Sequence, residues 1–577
     1  MKTNRYIFLI LFGSFLLLFS CGKDWLEVRP ENAVDQYTLA NIEGIEAILI
    51  GAYSMLDGVA EGVTGWESAS SNWLFGDIRG LIANKGTDSG DSWDGNPIKT
   101  YSETATNPML NAKWREVYEA VSRSNCAIMV TKQALADGTI SQEEADLFLQ
   151  QARALRGWYH FEAWRMWKMI PYVDENTDQN TITNTEDIRG KIISDLQEGA
   201  KLPDDMGAIG RFNGTVSKVL LAKALLQMNH DYTGALTLLA DVKTNGRKPD
   251  GSSIGLAPTY GEIFDIENRN GIESVYTVQY SVNDGSGGYN GGYGEVLNFP
   301  YKPNGGSPAG CCGFFQPAQE FVNSFRTSGG LPLLDFSYNN NPVKNDQGLK
   351  PSDPFTEDAG PLDPRLDWSV GRRGIPYWDW GVHPGSDWIR DQNYAGPYSP
   401  KKQVYKKSQE GLYTEVGNWT TGFTANGYRM IRYADVLLLL AECQIETGNL
   451  PDALANINLV RARAANPEGF VKEADGVTNA ANYIISEYPL FPDAEYARNA
   501  LRMERKLELG MEGHRWFDLN RWGNTVDELN RVLDYEKTMP WGSPMYGSLT
   551  VIGPEDVTYP VPQRQIDLSN GKLVQNR

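Results

Sequence analysis

Histidine and cysteine are scarce in this chain of 577 residues, which holds four of the first and five of the second. His160, His230, His383 and His514 stand far apart, and none forms a metal-ligand spacing with a cysteine, so no zinc centre is expected. No Ser-His or Cys-His arrangement supplies a nucleophile with its base. Four cysteines beyond Cys21 are too few for a disulfide framework in a chain this long. Cys126 and Cys443 fall in helical patterns and read as buried thiols, and the neighbours Cys311 and Cys312 would pair only through a strained ring, which favours free thiols. Basic stripes are also missing. The formal charge is -20, a field that repels phosphate backbones and anionic headgroups, which argues against nucleic acid and leaves neutral ligands as the natural fit.

Long apolar runs are absent except at the start. "YIFLILFGSFLLLFS" (6–20) follows Lys2 and Arg5 and is too short to cross a bilayer comfortably, so residues 1–20 read as a signal peptide. It ends in Leu18-Phe19-Ser20-Cys21, a lipobox-like tetrad with a bulky Phe19, which makes Cys21 the expected site of lipidation. Several acyl chains on that cysteine would anchor the chain stably where one would not.

Glycine and tryptophan are plentiful, at 58 and 16 residues. Helical periodicity governs two zones, 36–245 and 432–522. In "SQEEADLFLQQARALRGWYHFEAWRMW" (141–167), Ser141 and Glu144 form a capping box, and Pro171 lies just past the end. "RYADVLLLLAECQIETGNLPDALANINLVRARA" reads as two helices about a Gly448-Asn449 break, with a length close to the roughly 34-residue period of tetratricopeptide hairpins. "AKALLQMNHDYTGALTLL" (222–239) echoes it, which suggests one superhelical scaffold interrupted by a large insertion. That insertion, 246–431, is rich in glycine and loops, and only "ESVYTVQYS" (273–281) alternates like a short strand. The fold class is therefore mainly α, a tetratricopeptide-like scaffold of helix pairs with a loop-rich insertion and a few short strands.

The chain resembles the SusD/RagB family of outer-membrane nutrient-binding lipoproteins. Its features occur in the family's order: the lipobox, "ARALRGWYHFEAWRMWKMIPYV" (152–173), "DPRLDWSVG" (363–371), "RYADVLLLLAE" (432–442), "ALANINLVRARA" (453–464), "ERKLELGMEGHRWFDLNRWG" (504–523) and "YPVPQRQID" (559–567). The resemblance covers residues 21–577 as one domain. It implies a surface lipoprotein of the outer membrane that captures oligosaccharides, or in some members peptides, without catalysis. It also implies a partner, a SusC-like TonB-dependent barrel over which the protein sits as a lid. Arg432, Asp435, Glu442, Glu508, Arg515 and Asp518 then read as ion pairs between packed helices, and the mixed charges Glu504, Arg505 and Lys506 need no active site.

A neutral sugar offers apolar C–H faces and a rim of hydroxyls, so its binder needs flat exposed rings beside Asp, Asn, Arg or Gln. "YWDWGVHPGSDW" (377–388) supplies Trp378, Trp380 and Trp388, with Arg390, Asp391, Gln392 and Asn393 close behind. In a strand, Trp378 and Trp380 would share a face. The same rings would equally serve as anchors for their loop, and both readings stay open. Trp73 and Trp93 in the 65–96 loop, and Tyr289 and Tyr293 in the glycine-rich loop, are the other candidates. Asp77, Asp88, Asp91 and Asp94 lack a calcium-ligand spacing, so no cofactor is favoured. A glycosidase needs two carboxylates about 5–10 Å apart, and with 73 acidic residues some pair always qualifies, so that pattern alone carries no weight.

Overall fold

The computed structural model describes residues 38–577, apart from Thr64, Asn418, Trp419 and Ser548. The segment read as a signal peptide, Cys21 and the start of the first helical zone lie outside the described residues. Before the insertion come α1 (Ile42–Ser54), α2 (Pro108–Ala136), α3 (Gln142–Trp167), α4 (Arg189–Gly199), α5 (Gly214–Asn229) and α6 (Tyr232–Asn245). After it come α7 (Tyr433–Glu446), α8 (Leu450–Ala464), α9 (Ala494–Leu509), α10 (Arg515–Trp522) and α11 (Thr525–Glu536).

Local chemistry sets these boundaries. The Ser141–Glu144 capping box opens α3, and Asn107 caps α2 ahead of a proline in its first turn. Asn213 caps α5, while Asn449 caps α8, whose first turn holds Pro451. Each of α2 to α6 packs on the next, and α6 packs on α7 across the whole insertion. One stack of tetratricopeptide-like helix pairs therefore runs through the chain, as the echo between the two hairpins suggests. Two boundaries differ from expectation. Helix continues past 522 through α11, and 470–493, inside the second helical zone, is irregular.

Strands are few and short: all those among the described residues form two-stranded pairs. β1 (Ala83–Gly86) pairs antiparallel with β3 (Phe314–Pro317), and β2 (Ser274–Tyr276) with β4 (Ile431–Arg432). The alternating stretch 273–281 is thus a strand over three residues only. Its partner is the last turn of chain before α7, so both ends of the insertion meet at one place. Cys126 is exposed on α2, contrary to the buried thiol expected from its helical setting, because it lies on the solvent side of that helix. Cys443 is buried, and desolvation pushes its thiol up. Cys311 and Cys312 are joined as a disulfide, which corrects the free-thiol reading.

Buried ion pairs tie insertion to scaffold. Arg432 donates to Glu512 (2.7 Å), Glu273 (2.6 Å) and Glu508 (2.9 Å). Arg365, from the insertion, grips Asp363 (2.7 Å), Glu504 (2.6 Å) and Glu508 (3.0 Å). Arg461 and Arg463 of α8 complete the cluster on Glu504 and on Glu273 and Glu508. The motif charges Asp435, Glu442, Arg505, Arg515 and Asp518 are likewise paired between α5, α7, α9, α10 and α11, and Lys506 of α9 holds Glu320 of the insertion (2.7 Å).

These charges fix the pH response. Burial pushes the Glu512 carboxyl up, but Arg432 and Lys402 hold it at about 2, below the ordinary carboxylate range. A depressed carboxylate contributes stability fully above pH about 4.5, and loses it as pH falls towards its folded value. Asp57, Asp77 and Glu116 are raised to about 7, chiefly by desolvation. Their contribution runs the other way and is lost as pH rises from about 4 to 7. The buried His160, His383 and His514, which desolvation holds below the ordinary imidazole range, lose stability in the same direction as the depressed carboxylates when pH falls. Thermal stability is therefore expected to fall steeply from pH 5 to pH 3; melting curves over that range check it, and a melting temperature that held level down to pH 3 would contradict it.

Candidate functional site on the loop face

Three loops are drawn together by the segment 300–313. Tyr301 donates its N–H to the Trp388 carbonyl (3.0 Å), and Trp388 Nε1 donates to the Gly306 carbonyl (3.1 Å). Ala309 donates its N–H to Tyr405 Oη (2.9 Å), and Thr420 Oγ1 donates to the Ala309 carbonyl (3.2 Å). The Thr87 N–H reaches the Gly313 carbonyl, extending the β1–β3 pairing. The 300–313 segment thus binds the 83–96, 377–394 and 405–421 loops to one another, and the Cys311–Cys312 pair lies within it.

At one side of this junction stands Arg390. Its guanidinium bonds Thr87 Oγ1 (2.9 Å), Asp91 (2.6 Å) and Asp88 (2.8 Å), and lies 5.0 Å from the Tyr301 ring centre. Trp93 follows Asp91 by two residues and is 64% exposed. Lys302 pairs with Asp387 and Lys406 with Asp265. These cations each face a carboxylate, so none of them offers an unpaired positive charge. Asp88 and Asp91 are occupied by Arg390, and Asp77 accepts the Gly513 and Arg515 N–H groups deep in the core, so these aspartates have structural partners.

On the other side, Tyr289 stacks on Tyr293 with ring centres 5.8 Å apart at 12°. Tyr289 is 61% exposed, whereas Tyr293 is half-buried and leans on Phe423 (5.3 Å). Gly65 is required here, since a Cβ on it would come within 3.1 Å of the Tyr293 ring.

The remaining predicted rings hold the loops. Trp73 is 1% exposed and donates to the Gly294 carbonyl (2.9 Å), so it belongs to the core. Trp388 is 3% exposed and packs edge-on against Tyr377. Around Trp378 the backbone turns with φ of +51°, and Tyr377 bonds back to Gly381 (2.8 Å), so the stretch is a tight turn and the strand geometry that would align Trp378 with Trp380 does not apply. Trp378 lies against Trp368 (5.0 Å), and Trp380 donates to the Tyr405 carbonyl (2.9 Å); both are half-buried. Asp379 between them accepts N–H groups from Lys407 (2.5 Å) and Ser408 (2.9 Å). The structure brings Trp93, Arg390, Tyr289 and Tyr293 to the outside of the loop junction, and spends Trp73 and Trp388 on packing. Tyr301, Tyr405 and Thr87 join the junction without a sequence signal, because each is defined by a partner more than ten residues away. Trp388→Ala is expected to destabilise the fold by about 3–5 kcal/mol, the cost of emptying a buried indole site; denaturant titration measures it, and a loss under about 1 kcal/mol would place the ring outside the core.

No described helix is long and apolar enough to cross a membrane. The chain is thus a stack of helix pairs that carries a loop face on which Trp93 and Tyr289 are exposed. Residues 272–577 match the SusD family model, and the chain belongs to that family. A SusD-like protein of Bacteroides ovatus is 21% identical over 285 residues, an alignment spanning 47% of this chain and about half (49%) of that relative. SusD-like protein P2 of Formosa agariphila is 24% identical, covering 78% of this chain and 79% of its own length. Among solved structures, a SusD superfamily protein from Bacteroides vulgatus superposes with a TM-score of 0.66 at 18% identity, over 93% of this chain and 98% of that one. Surface glycan-binding protein A from Bacteroides thetaiotaomicron, in complex with laminarihexaose, gives 0.65 at 20% identity, over 93% and 99%.

Proposed function

We propose that this chain is a cell-surface glycan-binding lipoprotein, anchored to the outer membrane through Cys21, that captures oligosaccharides on its loop face and passes them to a SusC-like TonB-dependent barrel. The observation that carries the reading is the pair of exposed rings, Trp93 two residues from the Asp91 that holds Arg390 and Tyr289 stacked on Tyr293, on a loop face whose Arg390, Lys302 and Lys406 are each held by a carboxylate. Flat rings accept the C–H face of a pyranose, while the Arg390, Asp88 and Asp91 groups offer donors and acceptors to its hydroxyls. Cations already held by carboxylates suit a neutral glycan over a uronate or sulfated one. A relative of the same fold is described as a laminarin-binding SusD-like protein, which supports the same ligand class. Peptide capture, the alternative, would call for a groove of small polar groups; the ring sites favour sugar. The role is binding and hand-over without bond cleavage.

The test is affinity electrophoresis of the full mature chain carrying Cys21→Ser, through gels that each hold laminarin, starch or mannan. Retardation by at least one neutral polysaccharide is the expected result. Unretarded migration in all three, with binding to a peptide mixture by calorimetry, would replace the glycan reading with the peptide one.

A further inference from the structure

Away from the junction, on the scaffold side of the glycine-rich loop, α1 and the chain following β2 enclose a cleft of about 370 Å³. Its walls combine tyrosyl and aliphatic side chains with five polar ones, Ser54, Asp57, Gln279, Ser281 and Asn290. Tyr276 and Tyr280 are buried and Tyr53 is half-buried, while Ile50 of α1 turns an aliphatic side chain outwards at the mouth, 51% exposed. Tyr276 and Tyr53 are fixed by their hydroxyls, the first donating to the Gly210 carbonyl (3.0 Å) and the second donating to Gln151 (3.0 Å) while accepting the Phe212 N–H (2.9 Å). Tyr280 is fixed by its ring, which lies 3.2 Å from where a Cβ on Gly292 would stand.

Ser54, Gln279 and Ser281 are already hydrogen-bonded to their neighbours, and three other polar groups of the cleft have capacity to spare. Tyr280 is 7% exposed, and its hydroxyl makes no hydrogen bond among the described residues. Asp57 accepts one N–H, from Val59 (2.6 Å). Asn290, on the rim, anchors its amide nitrogen on Asp284 (2.8 Å), leaving its side-chain carbonyl without a partner among the described residues. Burial raises the Asp57 carboxyl to about 7, so near neutrality it serves as donor or acceptor. No lysine or arginine lines the cleft and it holds a single acid; Arg211 against the Tyr53 ring and Arg123 on Ser54 are already held by Glu46 and Glu119, so neither an anion nor a multivalent cation finds a free counter-charge there.

We infer that the cleft between α1 and the 276–281 chain is a second, separate binding site for a neutral sugar of one or two rings. The tyrosyl and aliphatic walls match pyranose C–H faces, and the Tyr280 hydroxyl, Asp57 carboxyl and Asn290 carbonyl lie where ring hydroxyls would meet them. The volume falls in the range of small-molecule sites and matches one or two sugar rings. The cleft shares the glycine-rich loop with the ring pair: Asn290 lines it one residue after Tyr289, and the Ser281 N–H holds the Asn290 carbonyl (2.9 Å). A sugar held there would therefore rest against the base of the loop that carries the outer ring site.

Saturation-transfer difference NMR and titration calorimetry on the full mature chain, with D-glucose, D-galactose, D-mannose and laminaribiose as probes, test the assignment. Ile50→Trp, at an exposed helix position, lays an indole across the mouth without disturbing the core. It is expected to weaken binding of the preferred probe at least tenfold, and Tyr280→Phe about three- to tenfold by removing one hydroxyl. Trp93→Ala/Tyr289→Ala is expected to leave this binding in place while abolishing polysaccharide retardation. Absence of binding by all four probes, or binding that survives Ile50→Trp unchanged, overturns the inference. Small-sugar binding that disappears only in the Trp93→Ala/Tyr289→Ala variant assigns it to the loop face and overturns it too. The polysaccharide gels read the loop face alone, so the two proposals fail separately.

Discussion

Trp93→Ala/Tyr289→Ala is expected to weaken polysaccharide binding by about 100-fold and to leave the melting curve of the protein unchanged. Both rings are mostly exposed, at 64% and 61%, so removing them opens no cavity and costs the fold little. What is lost is contact with the ligand. A ring stacked on a sugar face contributes about 1.5 kcal/mol, and two rings on different loops with no shared partner add nearly independently. Their sum of about 3 kcal/mol corresponds to roughly two powers of ten in affinity. Each single variant then weakens binding about tenfold, measured by affinity electrophoresis over a series of polysaccharide concentrations. Unchanged retardation in the double variant would remove these rings from the site. Trp378→Ala/Trp380→Ala makes the useful contrast: those rings are half-buried and tied to the Lys401 and Tyr405 carbonyls, so their loss should lower stability before it lowers affinity.

The second large effect concerns the buried charges. Arg432→Met removes the guanidinium shared by Glu273, Glu508 and Glu512 and leaves acids facing one another out of water. Breaking a buried pair from one side costs about 3–5 kcal/mol, because the remaining charge keeps its desolvation penalty. Equilibrium denaturation in urea should show a loss of that size with an otherwise native circular dichroism spectrum. A loss below about 1 kcal/mol would mean that Lys402 and Arg463 neutralise the cluster by themselves. Replacing Arg432 and Glu508 together, as Arg432→Met/Glu508→Gln, is expected to cost less than the sum of the single changes, since each then leaves fewer orphaned charges.

Much of the scaffold was legible because its signals are local. The capping box at Ser141 and Glu144, the Gly448-Asn449 break and the proline in the first turn of α8 act within one helical turn, and all stand where their spacing puts them. Helix α11 lay beyond the zone drawn from periodicity, although its apolar positions Leu529, Val532 and Leu533 are helically spaced and buried. The loop face was legible only as a set of residue types. Composition marks Trp73, Trp93, Trp378, Trp380 and Trp388 alike as candidates, whereas exposure separates them, and exposure depends on partners far along the chain. Trp73 is fixed by Gly294 and Trp388 by Gly306, contacts that no local pattern announces. The same holds for Arg390, whose aspartates lie some three hundred residues earlier.

The pairing of β2 with β4, and the packing of α6 on α7, place the exit and re-entry of the long insertion side by side. At that doorway the insertion contributes Glu273 and Arg365, while the helices contribute Arg463, Glu504 and Glu508. Neither part is electrically complete alone. A scaffold expressed without the insertion would leave Lys506 without Glu320, and an isolated insertion would carry Glu273 and Glu320 with none of the cations that face them in the whole protein. The two must therefore co-fold, and limited proteolysis should release no stable fragment. Evolution is then free to rewrite the tips of the loops, where Trp93 and Tyr289 sit, while the base of the insertion stays locked to the helices. New ligands would be acquired at the rim of a joint that itself cannot drift.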